Sequence, residues 1–412
     1  MPFRRHILSN GLRIVHHYDA TTRMTALNIL YDVGSKDESP RRTGFAHLFE
    51  HLMFGGSANI PDFDTPLQEA GGENNAWTSN DITNYYTIVP THNAETAFWL
   101  ESDRMFSLSF SPESLAVQKQ VVIEEFKQRN LNQPYGDSFL LLRPMAYRVH
   151  PYRWPVIGEK VSHIEEASLD EVKQFFFAHY APNNAILSIA GSLPFDRAVE
   201  LCEKWFAPIP RREVARRNLP QEPVQTEARR MTVERDVPLD AVFKAYHMVA
   251  RNHADYQGYD TLSDILASGR SSRLYRRLVM EQKLFAEIDA SITGDIEPGL
   301  FLLKGKLSPG VSFEQGEAAI ERELQQIQSE LLTQRELDKV VNRFESNDLF
   351  SNLHYLNKAS NLAYYELLGG AENIDKEVDK YKNLTTCDLQ RIAQTLFVPE
   401  NSSTLCYKSL RH

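Results

Sequence analysis

His47 and His51 stand four residues apart in the segment GFAHLFEHLMFGGS, and Glu50 follows His47 by three. On a helix this spacing sends both imidazoles from one face, about 6 Å apart, within reach of one tetrahedral ion such as zinc. Glu50 shares that face. A carboxylate beside a metal-activated water can take its proton and later deliver it to a leaving amine. The other arrangement open to these residues is a hydrogen-bonded His–Glu core cluster. Ala46, Leu48 and Leu52 make the helix largely buried, and buried histidines need polar partners.

The helix that must carry the motif is expected over 41–54, with Phe45, Leu48, Phe49 and Leu52 at i, i+3, i+4 and i+7 and Thr43 as its N-cap. Before it, HILSNGLRIVHHY and TALNILYDVGS read as two strands joined by a polar turn at 19–22, a hairpin that opens the domain. After it come a short helix, TPLQEAGG, capped by Thr65, and a hairpin, NNAWTSNDITNYYTIV, rich in β-branched and aromatic residues. ETAFWLESDRMFSL and SLAVQKQVVIEEFKQRN read as helices, the latter announced by Ser111-Pro112-Glu113. SLDEVKQFFFAHY and FDRAVELCEKWFAPI, with the buried strand NNAILSIAGS between them, complete the first half.

The stretch 211–227 contains Pro220 and Pro223 among charges and has no apolar period, as a linker would. The pattern then restarts. Strands near 241–248 precede helices near 256–267 and 272–282, a hairpin near 286–306, helices at 312–332 and from 333, and a last strand at 403–408. The expectation is an α+β protein of two related αβ domains of similar topology: 1–215 bearing the metal motif, a linker at 216–227, and 228–412 without a metal site.

With 42% hydrophobic and 24% charged residues over 412 positions, the chain can bury sizeable cores. Its net charge of -10, with basic residues in scattered short groups, argues against nucleic acid as a partner. Three cysteines without CxxC spacing exclude a disulfide framework and a thiolate metal cluster. The opening MPFRRHILSNGLRIVHH lacks the apolar core and cleavage site of a signal peptide, and no run approaches the ~18 apolar residues needed to span a membrane. The expected location is the cytoplasm, without a membrane partner; a processed organellar or exported form would read the same.

HLFEH is the inverted zinc signature, HxxEH in place of HExxH. Together with GFAHLFEHLMFGGS, the GG-x-x-NAWTSNDITNYY stretch, a helix ending VVIEEF, and HPYRWPVIG at 150–158, it makes the sequence resemble the insulinase and pitrilysin family of zinc metallopeptidases, in the short-chain branch that includes the mitochondrial processing peptidases. The resemblance implies Zn2+ on His47, His51 and a glutamate of a later helix, which falls on Glu125, with Glu50 as catalytic base. Glu124 lies about 100° around that helix and should point elsewhere. Where the family has a further acidic residue on the same face, this chain has Gln118, which can hydrogen-bond a ligand imidazole without adding charge. The resemblance also makes NAWTS an edge strand to which a peptide substrate adds, with Asn75, Ala76 and Thr78 as the binding residues.

Family members enclose peptides in a clamshell of four such domains, so a chain of two supplies half and a dimer is expected. The second half normally contributes an arginine and a tyrosine seven residues apart that bind substrate carbonyls across the chamber. The corresponding block here, LVMEQKLFA, places Val279 and Ala286 at those positions. The implied arrangement is a heterodimer in which a second homologous chain supplies the pair. Arg273, Tyr275, Arg276 or Arg277 substituting locally is the lesser reading. Two alternatives stand beside a zinc endopeptidase: a non-catalytic core-type structural subunit of the same fold, and an unrelated metal-dependent hydrolase of small molecules.

Overall fold

Two sheets organise the chain, each within its own compact unit. The computed structural model describes residues 1–214 and 217–411. Among these, no helix is long and apolar enough to cross a membrane.

The first sheet contains β1 (Arg4–Ile7), β2 (Arg13–Tyr18), β3 (Met24–Tyr31), β4 (Glu73–Thr78), β5 (Thr83–Pro90) and β6 (Ala185–Gly191), in the order β1-β2-β6-β3-β5-β4. The expected hairpin of β2 with β3 is therefore replaced. Ser9-Asn10-Gly11 turns β1 back on β2, and β6 enters between β2 and β3, parallel to the first and antiparallel to the second. The physical reason is burial. Every residue of β6 is buried, which only an inner position allows.

β3 is buried on both faces, and its alternation shows what covers each. Leu27, Ile29 and Tyr31 join the core with Phe45, Phe49 and Phe176, whereas Ala26 faces Ala190, Ile88 and Ala359. Ala359 belongs to the Tyr355–Leu367 helix, which lies on the second face of this sheet and is fixed there by Lys358–Asp19 (2.7 Å) and Ser360–Asn28 (2.9 Å). Asn28, buried mid-strand, exchanges two hydrogen bonds with Asn84 of β5, so no polar group is stranded.

The second sheet contains β7 (Arg229–Arg235), β8 (Ala241–His247), β9 (Phe285–Ile292), β10 (Leu300–Leu307) and β11 (Ser402–Ser409), in the order β7-β11-β8-β10-β9. β7 with β11 is parallel and the other pairs are antiparallel. This repeats the scheme of β2-β6-β3-β5-β4, with one strand inserted late in the sequence beside the first. The expectation of an α+β chain with two domains of similar topology is met. β7, RRMTVER, is mostly exposed and charged, which is why no strand period marked it.

The units are not contiguous in sequence. Met1–Phe126, Trp154–Leu219 and Asp348–Lys376 form one, and Lys127–Arg153, Pro220–Asn347 and Glu377–His412 the other. The contiguous stretches 1–215 and 228–412 differ from this division because the 355–367 helix packs on the first sheet and the Ser138–Ala146 helix on the second. Of the expected boundary, positions 215 and 216 lie outside the described residues. Arg217 beyond them is held by Asp32 (2.8 Å) and Asp37 (2.6 Å) of the first unit. Glu222 accepts the backbone N–H groups of Arg148, Val149 and His150 in the second.

Candidate metal centre

The motif helix runs Phe45–Leu52 and buries Phe45, Leu48, Phe49 and Leu52, as the spacing predicts. Its cap differs from expectation. Gly44, not Thr43, is the N-cap, in the left-handed region at φ 89°. A Cβ there would lie 2.8 Å from the Ile157 carbonyl oxygen, so conformation and space both require glycine. Glycine has no side chain to accept the first helical N–H groups, and Glu38 does so instead. Its Oε2 accepts from Gly44 N (2.9 Å) and its Oε1 from Ala46 N (2.8 Å). Burial pushes the Glu38 carboxyl well above the usual carboxylate range, against the pull of these two bonds. The Thr43 hydroxyl instead accepts from Glu159 N and pairs with His163 Nδ1 at 2.8 Å.

His47 and His51 project from one face, their rings 4.9 Å apart and nearly perpendicular. Glu125, on the Pro112–Phe126 helix, brings Oε2 to 3.6 Å from His47 Nε2 and 3.4 Å from His51 Nε2. These separations exceed the ~3.2 Å reach of an N–H···O hydrogen bond. They match the ~3.3 Å edge of a tetrahedron whose corners lie 2.0–2.1 Å from zinc. The three donor atoms lie within 4.8 Å of one another, and the set of two imidazoles and one carboxylate suits zinc. The residues present thus fit the metal better than they fit a hydrogen-bonded His–Glu core cluster. Side-chain exposures of 9%, 24% and 18% leave the group recessed yet reachable from outside.

Glu124 is exposed and accepts from Gln120 at 2.9 Å, away from the cluster. Gln118 is half-buried on the same helix, with its amide nitrogen beside Gly55.

Glu50 lies on the motif helix between the two histidines, and Thr78 of β4 donates its hydroxyl hydrogen to Glu50 Oε2 at 2.6 Å. Beneath it lie Tyr85 and Tyr180, whose phenols burial raises well above their ordinary range, with the nearby Glu50 carboxylate adding to the effect. Among the described residues β4 pairs only with β5, which leaves its other edge without a strand. Asn75 is exposed, Ala76 packs toward the core, and Trp77 is exposed at 43%. The Ala76 N–H is held by the Asn75 side chain at 2.8 Å.

In the second unit, Val279 packs against the apolar core and Ala286 is exposed on β9. The nearby arginines are engaged. Arg273 pairs with Glu336 (2.6 Å) and Arg277 with Glu323 (2.6 Å), while the more exposed Arg276 lies 3.5 Å from Glu281.

Sequence reasoning missed Glu38, Lys36, Asp81 and Trp154. Lys36 Nζ bonds Asp81 Oδ1 at 2.7 Å with both side chains about 5% exposed or less, and Trp154 Nε1 donates to Ser35 O at 2.9 Å. The available signal was SKDE at 35–38, six residues ahead of the motif helix, but a run of charges ordinarily reads as a solvated loop.

Residues 13–159 match the model of the insulinase family, peptidase family M16, and residues 166–344 match the peptidase M16 inactive domain. The chain is 30% identical over 411 residues to the zinc protease PqqE of Helicobacter pylori, covering 97% of this chain and 91% of that one. It belongs to peptidase family M16. Over 405 residues it is 23% identical to the uncharacterized zinc protease YmxG of Bacillus subtilis, covering 98% and 97% of the two chains. A crystal structure of a protease from Helicobacter pylori superposes with a TM-score of 0.92 at 28% identity over 99% of both chains. Another, of a peptidase M16 inactive domain from Pseudomonas fluorescens, has a TM-score of 0.88 at 16% identity over 99% and 98%. Pitrilysin matches with a TM-score of 0.77 at 15% identity, and there the M16 chain described here covers 45% of the longer protein. Relatives of this M16 chain are thus named as zinc proteases, whereas the shared fold also occurs in a protein described as inactive.

Proposed function

We propose that this M16 chain is the zinc-bearing subunit of a metalloendopeptidase that hydrolyses peptides or unfolded polypeptide segments. The observation that carries the reading is the convergence of His47, His51 and Glu125 on one point, at separations that suit a tetrahedral metal, with Glu50 on the helix that carries both histidines. Zinc held there by these three side chains supplies Lewis acidity toward a scissile carbonyl oxygen and toward water.

The chain's own residues do the rest. Glu50 takes a proton from water as its oxygen attacks the carbonyl carbon, and returns that proton to the amide nitrogen as the C–N bond breaks. Thr78 fixes the Glu50 carboxylate at 2.6 Å. The open edge of β4 receives the substrate as an added strand, gripping backbone without reading sequence, and Asn75 releases the Ala76 N–H as the peptide enters. Gln118 serves the site from the helix face that carries Glu125.

A second homologous chain supplies the arginine and tyrosine that Val279 and Ala286 do not provide, and the engagement of Arg273 and Arg277 by their own carboxylates supports this over local substitution. The same two replacements favour the second reading, a non-catalytic subunit of the same fold. The test is hydrolysis of unstructured peptides by the zinc-loaded chain, alone and mixed with a homologous chain from the same source that carries the Arg and Tyr block. Chelator-sensitive cleavage only in the mixture is the expected result. Cleavage by the chain alone removes the need for a partner, and cleavage in neither favours the structural subunit.

A further inference from the structure

Residues 34–38 touch both the motif helix and the turn after β4. Gly34 packs against the backbone at 80–81 so closely that a Cβ would lie 2.5 Å from the Asn80 carbonyl carbon and oxygen and 2.6 Å from Asp81 N. Ser35 N donates to Ser79 O at 3.2 Å, and Lys36 N to Asn80 O at 2.9 Å. Lys36 Nζ then reaches Asp81 at 2.7 Å, an ion pair 3% and 5% exposed. Two residues on, Glu38 holds the first N–H groups of the motif helix through Gly44 and Ala46. Three buried ionisable side chains at 36, 38 and 81 are costly in a loop unless something requires them.

We infer that the 34–38 turn is a two-ended brace that sets the position of Glu50 relative to β4, with Glu38 and Lys36 as positioning residues. At one end Glu38 anchors the helix that carries His47, Glu50 and His51. At the other, Lys36–Asp81 and the backbone bonds anchor the turn that follows Thr78 between β4 and β5. Trp154 clamps the middle through Ser35 O, and Arg217 holds Asp37 from the outer side. The direct Thr78–Glu50 bond spans the two parts and needs both fixed to about half an ångström to hold its geometry. The inference rests on the peptidase reading for what the brace serves, but its geometry does not.

The test uses the full chain with three changes: Glu38→Gln, Lys36→Met, and Lys36→Met with Asp81→Asn. The last removes both buried charges and so remains informative if the single Lys36 change unfolds the protein. Amide exchange in metal-free protein should accelerate at 44–46 in the Glu38 variant and at 79–82 in both Lys36 variants, with the rest of the first unit unchanged. Zinc affinity should fall about tenfold for Glu38→Gln and stay near wild type for the Lys36 variants. Peptide KM should rise about threefold to tenfold for the Lys36 variants with kcat less affected, because β4 is displaced and the metal is not.

Unchanged local exchange in all three variants would overturn the brace. So would a uniform loss of protection across the unit with zinc affinity and KM as in wild type. Exchange and zinc affinity are read without substrate, so a wild-type protein that cleaves nothing would defeat the peptidase reading while the brace is still decided.

Discussion

The Thr78 hydroxyl donates to Glu50 Oε2 over 2.6 Å, so a side-chain bond joins the strand edge to the carboxylate of the motif helix. This divides the work between two substitutions. Glu50→Gln keeps the shape and removes the base, and should retain zinc while lowering kcat by about 10²–10⁴-fold. Thr78→Val keeps the β-branched shape and removes the donor, and should lower kcat/KM about tenfold by freeing the Glu50 rotamer. Zinc content by atomic absorption, measured beside turnover, checks both. Wild-type turnover in the Glu50→Gln variant would rule out Glu50 as the base.

Zinc should stabilise the folded first unit. A ligand that binds only the native state adds about 2.7 kcal/mol at a hundredfold excess over Kd. A strong chelator should lower Tm, and His51→Ala should abolish the response to both zinc and chelator. A Tm that chelation and zinc leave unmoved would contradict the three-ligand site.

Arg273 is expected to act on stability and not on turnover. Burial alone would raise the Glu336 carboxyl, but Arg273 and Thr333 hold it down at about 2, from the ordinary 4.5. A carboxyl depressed on folding contributes stability that is complete above its unfolded value and is lost as pH falls through the folded one. Arg273→Met should therefore cost about 1–2 kcal/mol near pH 6, discounted for partial exposure of the pair, and the difference from wild type should fade between pH 4.5 and 2. Urea unfolding across that range, with peptide hydrolysis at neutral pH, measures both effects. Loss of turnover without loss of stability would restore Arg273 as a substrate-binding residue.

The 355–367 helix should be part of what keeps the first sheet folded. Ala359 is fully buried against Ala26, Ile88 and Ala190. Ala359→Leu should cost about 1–3 kcal/mol by overpacking. The loss should appear in the unfolding transition that zinc shifts. An effect confined to a transition insensitive to zinc would mean that the helix stabilises the second unit instead.

The site was legible in the sequence as far as local spacing carries chemistry. HLFEH on an apolar helix declares a pair of imidazoles and a carboxylate on one face, because 3.6 residues per turn brings i and i+4 together whatever surrounds them. Glu125 was reached only through the resemblance of VVIEEF to a family block, since no local rule tells which distant carboxylate will meet two histidines. The repeated order of strands and helices likewise announced two similar α+β domains, but adjacency in sequence misled at β2 and β3. The decisive fact there is that β6, buried on both faces, needs an inner position.

By itself, then, the sequence determined the family, the motif helix and the donor chemistry of the site. Tertiary structure alone decided that β6 separates β2 from β3, that the 355–367 helix covers the first sheet, and that Glu38 replaces Thr43 in capping the motif helix. It also paired Lys36 with Asp81 behind β4. Apart from the Glu38 cap, which joins residues six and eight positions apart, these depend on contacts between residues far apart in the chain, such as Ala359 with Ala26 or Lys36 with Asp81. Periodicity records which face of an element is apolar and carries no information about which distant element covers it.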